Sequence, residues 1–391
     1  MPKKYAEYKR QFNALKYHFR LNEMNDSIEC NGKRMTDITV ATIESKMFDV
    51  GFTSAAGIGR SITRLASEDS YHPIKEWLDE LRWNGEDIFS QLMSCIEFEH
   101  QGISERFMYR FLLGCIGKIR SDGWEQNVMP IIDGVQGVGK SHLVRWLPPK
   151  KIQKYYVEGG INPDSKDTKI RVVGNFLWEV GELQGMTRKA DLEALKNIIT
   201  QREITVRLPY GRFDISKPVT CSFVGTVNES GSGFLNDVTG NRRFVVMRIN
   251  KLDWQYADLD QEQLWAQMSQ LYDVGERGKL TLQETSEQNT INAEYDTLSH
   301  VEQHFHKHYG IDMLNYSDSW MPIGDIIDKL ELHGLSKSNQ HLNLITLAGK
   351  LSQWGCGKNR SNRVTGHGRS VCYSGIYEKT PQPIGNLGGN P

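Results

Sequence analysis

The run Gly134-Val-Gln-Gly137-Val-Gly139-Lys140-Ser141 constrains this chain more than any other, because it sits between an apolar stretch and a helix-forming one. It fits G-x-x-x-x-G-K-[ST], a P-loop, in the strand-loop-helix setting that the motif requires. Glycines there let backbone N–H groups turn inward onto phosphates, Lys140 neutralises β/γ-phosphate charge, and the Ser141 hydroxyl ligates Mg2+. Gly134, Gly137, Gly139, Lys140 and Ser141 are therefore expected to hold ATP with Mg2+. Short β-rich runs at 128–132, 172–178, 220–224 and 244–249 alternate with helix-forming segments. That alternation predicts an α/β core with parallel strands.

A P-loop alone does not separate a kinase from a motor, so the position of the metal-side acid matters next. Phe176-Leu-Trp-Glu179-Val-Gly-Glu182 is an apolar strand that ends in acids. Glu179 at the strand end and Glu182 one short turn beyond suit an Mg2+ shell and a water-activating base, or else solvated loop positions. Asn228 directly follows another apolar strand, where its amide can orient an attacking water or simply serve a turn. Gly240-Asn-Arg242-Arg243-Phe244 places two arginines before the next strand. Such a pair suits either a finger that reaches a γ-phosphate across a subunit boundary or a solvated charged surface.

Together with Tyr71-His-Pro-Ile-Lys-Glu-Trp-Leu78, Arg82-Trp-Asn-Gly85, Leu195-Lys196, Pro209-Tyr210-Gly-Arg212 and Gly225-Thr-Val-Asn228-Glu229, these motifs resemble the virulence-associated E family over roughly residues 15 to 250. The resemblance implies the superfamily 3 helicase branch of AAA+ ATPases, as carried by phages and genomic islands. It implies a homo-oligomeric ring, usually a hexamer, with ATP between subunits and a bacterial host cytoplasm as its place of work. It implies Glu179 and Glu182 as Walker B acids, Asn228 as sensor, and Arg242 or Arg243 as the finger donated by a neighbour. The acidic motif lacks the Asp that most superfamily 3 members carry, so the glutamate that binds metal stays open. Lys196 and the segment 203–216 become a functional element by the same resemblance. That segment reads as a hairpin in its own right, since Ile204, Val206 and Leu208 alternate with polar residues and the turn is Pro209-Tyr-Gly-Arg212. In the superfamily such a hairpin lines the central pore, and Arg207, Tyr210 and Arg212 offer the cations and ring that single-stranded DNA uses. The resemblance also suggests 3′ to 5′ unwinding. The residues ahead of position 71 are too few for a primase catalytic domain, so no primase activity is expected.

Composition narrows the partners. Lys plus Arg is 47 against 48 Asp plus Glu, so no global field draws nucleic acid and any DNA contact needs a local patch. One such patch is 350–379, where Lys350, Lys358, Arg360, Arg363, Arg369 and Lys379 face the single acid Glu378. With two preceding helical patterns, it predicts a winged-helix-like domain whose wing carries Arg360, Arg363 and Arg369 to duplex phosphates. A solvated basic loop on a protein-interaction domain is the alternative. His304, His306 and His308 have no nearby third ligand at zinc spacing and read as surface histidines. The six cysteines form no C-x-x-C pair, which fits free thiols in a reducing cytoplasm. No apolar run is long enough for a membrane span, and the polar start has no signal-peptide core.

The expected organisation is a small region over 1–70, a helical subdomain over 71–125, the P-loop core over 126–250, a helical connector over 251–310, the winged-helix-like unit over 311–379 and a disordered tail over 380–391. The leading expectation for function is a DNA helicase that couples ATP hydrolysis to movement on single-stranded DNA. An ATP-driven switch that binds DNA or a replication protein without unwinding is the main rival. A small-molecule kinase lacks a visible substrate lid and leaves the arginine pair unexplained.

Overall fold

The computed structural model describes residues 4–123, 128–162, 165–181, 189–207, 213–228, 243–295, 300–333, 335, 340–360 and 370–379. The chain divides into two compact units, Met1–Asp296 and Thr297–Pro391.

At the centre of the first unit is a six-stranded mixed sheet in the spatial order Ile96–Phe98, Phe244–Leu252, Met129–Asp133, Ser222–Thr226, Leu177–Val180, Tyr156–Glu158. All pairings are parallel except that of Ile96–Phe98 with Phe244–Leu252. Met129–Asp133, Ser222–Thr226 and Leu177–Val180 are buried at every position. Continuous apolar strands of this kind belong in a sheet that helices cover on both faces. Register then aligns their carboxyl ends, because Thr226 pairs with Ile132 and Gly225 with both Ile131 and Val180.

Two segments differ from the sequence expectation. The run expected as a strand over 172–178 splits into the helix Lys166–Gly174 and the strand Leu177–Val180. Ser165 caps that helix by accepting from the Asp167 N–H, and burial of Val172 and Val173 overrides their β preference. Within the stretch read as wholly helical, Ile96–Phe98 peels off to pair with Phe244–Leu252. The helices Pro73–Glu80, Ile88–Ser94 and Gln101–Arg120 form around it.

Residues ahead of Pro73 build their own four-stranded sheet and a separate apolar cluster that includes Phe12, Phe19, Ile43, Met47 and Ile58. Asn31-Gly32, a dipeptide that signals a hairpin turn in sequence, joins Ser27–Cys30 to Lys33–Arg34, with φ of 50° and 76°. Positive φ at both central residues is the type I′ geometry that suits strand twist. This module is fixed to the core by Asn22, which donates to the Tyr155 hydroxyl at 2.8 Å, and by Lys217, which donates to Asp26 Oδ1 at 2.6 Å and to the Glu23 carbonyl.

Rings hold the helices to the sheet. Trp77, Phe176 and Trp265 pack edge-to-face at centroid distances of 5.3 to 6.2 Å. The Trp265 indole N–H also donates to the Leu147 carbonyl at 2.7 Å, which ties helix Gln261–Asp273 to the end of the P-loop helix.

The second unit runs helix His300–His308, strands Tyr309–Ile311 and Trp320–Pro322, helices Ile323–Leu332 and Gln340–Gln353, then strands Lys358–Asn359, Cys372–Ser374 and Ile376–Glu378. Trp320–Pro322, Cys372–Ser374 and Lys358–Asn359 form one antiparallel sheet with Cys372–Ser374 in the middle, and Tyr309–Ile311 pairs antiparallel with Ile376–Glu378. His308 stacks on His333 at 4.2 Å, and His306 packs on Trp354 at 4.6 Å. All six cysteines are free thiols. No helix among the described residues is long and apolar enough to cross a membrane.

One charge inside this core has a measurable cost. Lys118, 1% exposed on helix Gln101–Arg120, donates to the Cys221 carbonyl at 2.8 Å. Burial pulls its pKa from 10.5 down to about 8. The unfolded chain therefore keeps that proton across a window where the folded chain has released it. Stability should rise with pH from about 8 to 10.5, and the penalty should be full below that window. The shift corresponds to about 3 kcal/mol, against about 1 kcal/mol from the hydrogen bond. Lys118→Met is expected to stabilise the fold at pH 7 by about 2 kcal/mol and to flatten the alkaline rise, read from urea midpoints. Equal midpoints and equal pH slopes in the two proteins would exclude a buried-charge penalty.

Candidate functional site

Two glycines of the loop are required by sterics as well as by dihedrals. Gly134 has φ 150°, and a Cβ there would stand 2.6 Å from the Ile249 carbonyl oxygen. Gly139 has φ 106°, and a Cβ there would meet Leu252 Cδ2 at 2.8 Å and the Trp254 ring at 3.3 Å. The loop is thus seated on the end of the neighbouring strand Phe244–Leu252 and the turn that follows it. Lys140 is buried and donates to the carbonyls of Gly134 at 2.7 Å and Val135 at 2.9 Å. Ser141 is partly exposed on helix Lys140–Trp146.

Beneath the loop lies an acid that the sequence reading passed over. Asp133, fully buried at the end of Met129–Asp133, accepts from the Gly134 N–H at 2.7 Å and from the Tyr295 hydroxyl at 2.9 Å. Arg248 Nε stands 3.8 Å from the same carboxylate. Burial first, and then Asp133 itself, raise the Tyr295 phenol well above its ordinary range, so it remains a donor. An acid immediately ahead of the first loop glycine was a usable signal for this anchor. Tyr295, 162 positions away, left none.

Glu179 lies two strands from the loop, 1% exposed. Its Oε2 accepts from the Tyr156 hydroxyl at 2.6 Å and its Oε1 from the Thr226 hydroxyl at 3.2 Å. Burial and the Glu179 carboxylate push the Tyr156 phenol far up, which keeps it protonated and donating. Thr226 spans the gap between the two strands, because its own strand lies between them. Asn228 follows two residues later and is exposed. P-loop, Glu179 and Asn228 therefore share one end of the sheet, while Glu182 lies outside the described residues.

Arg243 is at the other end. Phe244 pairs with Met129 and Arg248 with Asp133, so Arg243 precedes the loop level by five strand residues, roughly 16 Å. Arg242 lies outside the described residues. Lys196 was expected to face DNA, yet it is 1% exposed on helix Lys189–Thr200 and gives no DNA-facing surface in this structure. Its helix turns that face inward, where Leu195 and Ile199 are buried too.

The expected hairpin pairs Glu203–Val206 with Ile215–Pro218, antiparallel, with Val206 opposite Ile215. Arg207 is exposed at its outer end, and Tyr210 and Arg212 lie outside the described residues. Phe213 is 80% exposed beside that outer end. In the second unit Arg360 is exposed after Lys358–Asn359, and Arg363 and Arg369 lie outside the described residues. Among the described residues no three His, Cys, Asp or Glu are grouped to hold a metal ion.

Comparison with known proteins adds to this geometry. The apo structure of the NrS-1 C-terminal region is similar at 12% identity, over 96% of this chain and 100% of that one, with a TM-score of 0.51. The likeness is one of fold. The A form apo structure of that region matches at 16% identity over 77% of each chain, with a TM-score of 0.47. No curated protein matches. The model of the virulence-associated protein E-like domain matches residues 78–297, a span that starts and ends later than the motifs alone had indicated. That span is more than half of the chain and contains the loop, Glu179, Asn228 and Arg243, so the chain belongs to the virulence-associated protein E-like family.

Proposed function

We propose that this chain is an Mg2+-dependent P-loop ATPase of the AAA+ type that drives a phage-type DNA replication helicase, assembled as a ring. The observation that carries the reading is the division of the sheet. Loop, Glu179 and Asn228 occupy one end, and Arg243 occupies the other. A cation about 16 Å along the strands from its own loop cannot serve the phosphates bound there. It can serve a neighbour's, and this supports ATP held between subunits, with Arg242 or Arg243 as the finger.

In this reading the loop amides and Lys140 cradle the phosphates, which requires Lys140 to leave the carbonyls of Gly134 and Val135. Ser141 and a carboxylate would hold Mg2+, which would supply positive charge to the transferring phosphoryl group. Glu179, held in place by the Tyr156 and Thr226 hydroxyls, accepts the proton of the attacking water, which Asn228 orients. Two features support DNA as the partner. One is the protruding hairpin with Arg207 and Phe213 at its outer end. The other is in the second unit, where strand Trp320–Pro322, two helices and strands Lys358–Asn359 and Cys372–Ser374 follow one another in winged-helix order, with the basic stretch between the last two of these strands.

Lys140→Ala is expected to abolish ATP turnover, because it removes the ammonium that meets the β/γ-phosphates. Wild-type hydrolysis in that variant would remove the nucleotide reading. Glu179→Gln should slow turnover roughly a hundredfold or more while ATP still binds, measured by steady-state phosphate release beside equilibrium titration. Unchanged turnover would take Glu179 out of the chemistry. The ring is tested by mixing Arg242→Ala, Arg243→Ala subunits with Lys140→Ala subunits. Recovered hydrolysis shows donation across an interface; silent mixtures of assembled protein point to a role within one subunit.

A further inference from the structure

Trp254 is a large ring left half in solvent. It is 53% exposed, yet its Cζ2 and Cη2 edge lies against Gly139, immediately before Lys140 and Ser141. The exposed His142 ring meets it at 5.4 Å and 74°, and Tyr256 backs it at 6.1 Å in a stacked arrangement. Asp253 fixes the turn by accepting from the Gln255 N–H at 3.0 Å, so the ring has a defined seat. Two aromatic surfaces, on the P-loop helix and on the turn after Phe244–Leu252, thus form one open wall beside the loop.

Strand order decides what the wall faces. Glu179 and Thr226 lie on one flank of Met129–Asp133, and the turn carrying Trp254 follows the strand on the opposite flank. A nucleoside triphosphate whose terminal phosphate points toward Glu179 must leave the loop with its nucleoside toward the other flank. We propose that Trp254, braced by His142, is the surface on which the base of the bound nucleotide stacks. The inference rests on the nucleotide reading of the P-loop and names the part of the ligand which that reading leaves unheld. A π-face is common to every base, so this wall supplies affinity for a base and little choice among bases.

The test uses the full chain with Mg2+ and two probes, ATP and inorganic tripolyphosphate, which has the charge and no base. Trp254→Ala should weaken ATP binding about tenfold, a typical loss for one stacking partner, and leave tripolyphosphate binding within about twofold. Trp254→Phe, which keeps a ring, should recover most of the ATP affinity. ATP, but not tripolyphosphate, should quench the fluorescence component that Trp254→Phe removes. Equal losses for both probes in Trp254→Ala would overturn the proposal and make Trp254 a support for the loop. Unchanged ATP affinity would overturn it as well. Should Lys140→Ala bind ATP as tightly as the wild type, the nucleotide reading falls and the stacking wall falls with it.

Discussion

The strand Ser222–Thr226 is bonded on both sides, to Met129–Asp133 and to Leu177–Val180, and its register fixes the level of Glu179 relative to the glycine-rich loop. Beyond the last paired residue, the Val227 N–H still donates to the Ile132 carbonyl at 3.0 Å, which carries the alignment to the start of the loop. Glu179 and the loop never need to touch, because both are indexed to this strand. A one-residue slip would turn Thr226 away from Glu179 and move Asn228 to the wrong face, since side chains alternate along a strand. Burial on both faces makes such a slip costly.

Polar groups under the loop are few and well matched. Asp133 answers the Gly134 N–H and the Tyr295 hydroxyl, with Arg248 close by, and Glu179 answers two hydroxyls of its own. A buried carboxylate without such donors is expensive, so each network is a condition for keeping an acid in a sheet core. Gln288 and Asn292 both donate to the Phe244 carbonyl, which pins the strand at the end where Arg243 stands. The arginine's position is set by helix Leu282–Glu294 as much as by the sheet.

Local chemistry made the loop, the Asn31-Gly32 turn and the two strands of the 203–216 hairpin legible in the sequence. Glycines at positive φ and alternating apolar residues leave local signals. Non-local pairing hid the rest. Three residues at Ile96–Phe98 cannot announce a strand when their partner lies some 150 positions later. Val172 and Val173 favour a strand by propensity, and only the packed neighbours settle them in a helix. Tyr156, Thr226 and Trp254 matter here through what they touch, and no spacing rule connects them to Glu179 or Gly139. Lys196 shows the converse, since a lysine beside buried apolar residues looks like a surface cation until the helix face is known.

Lys217 gives the N-terminal module a mechanical meaning. It sits on the returning strand of the hairpin, Ile215–Pro218, and its ammonium grips Asp26 and the Glu23 carbonyl of the small sheet. A tug on the outer end of that hairpin passes down two short strands and into a second, separately packed body. The small N-terminal sheet thus braces the base of the hairpin from outside the central sheet.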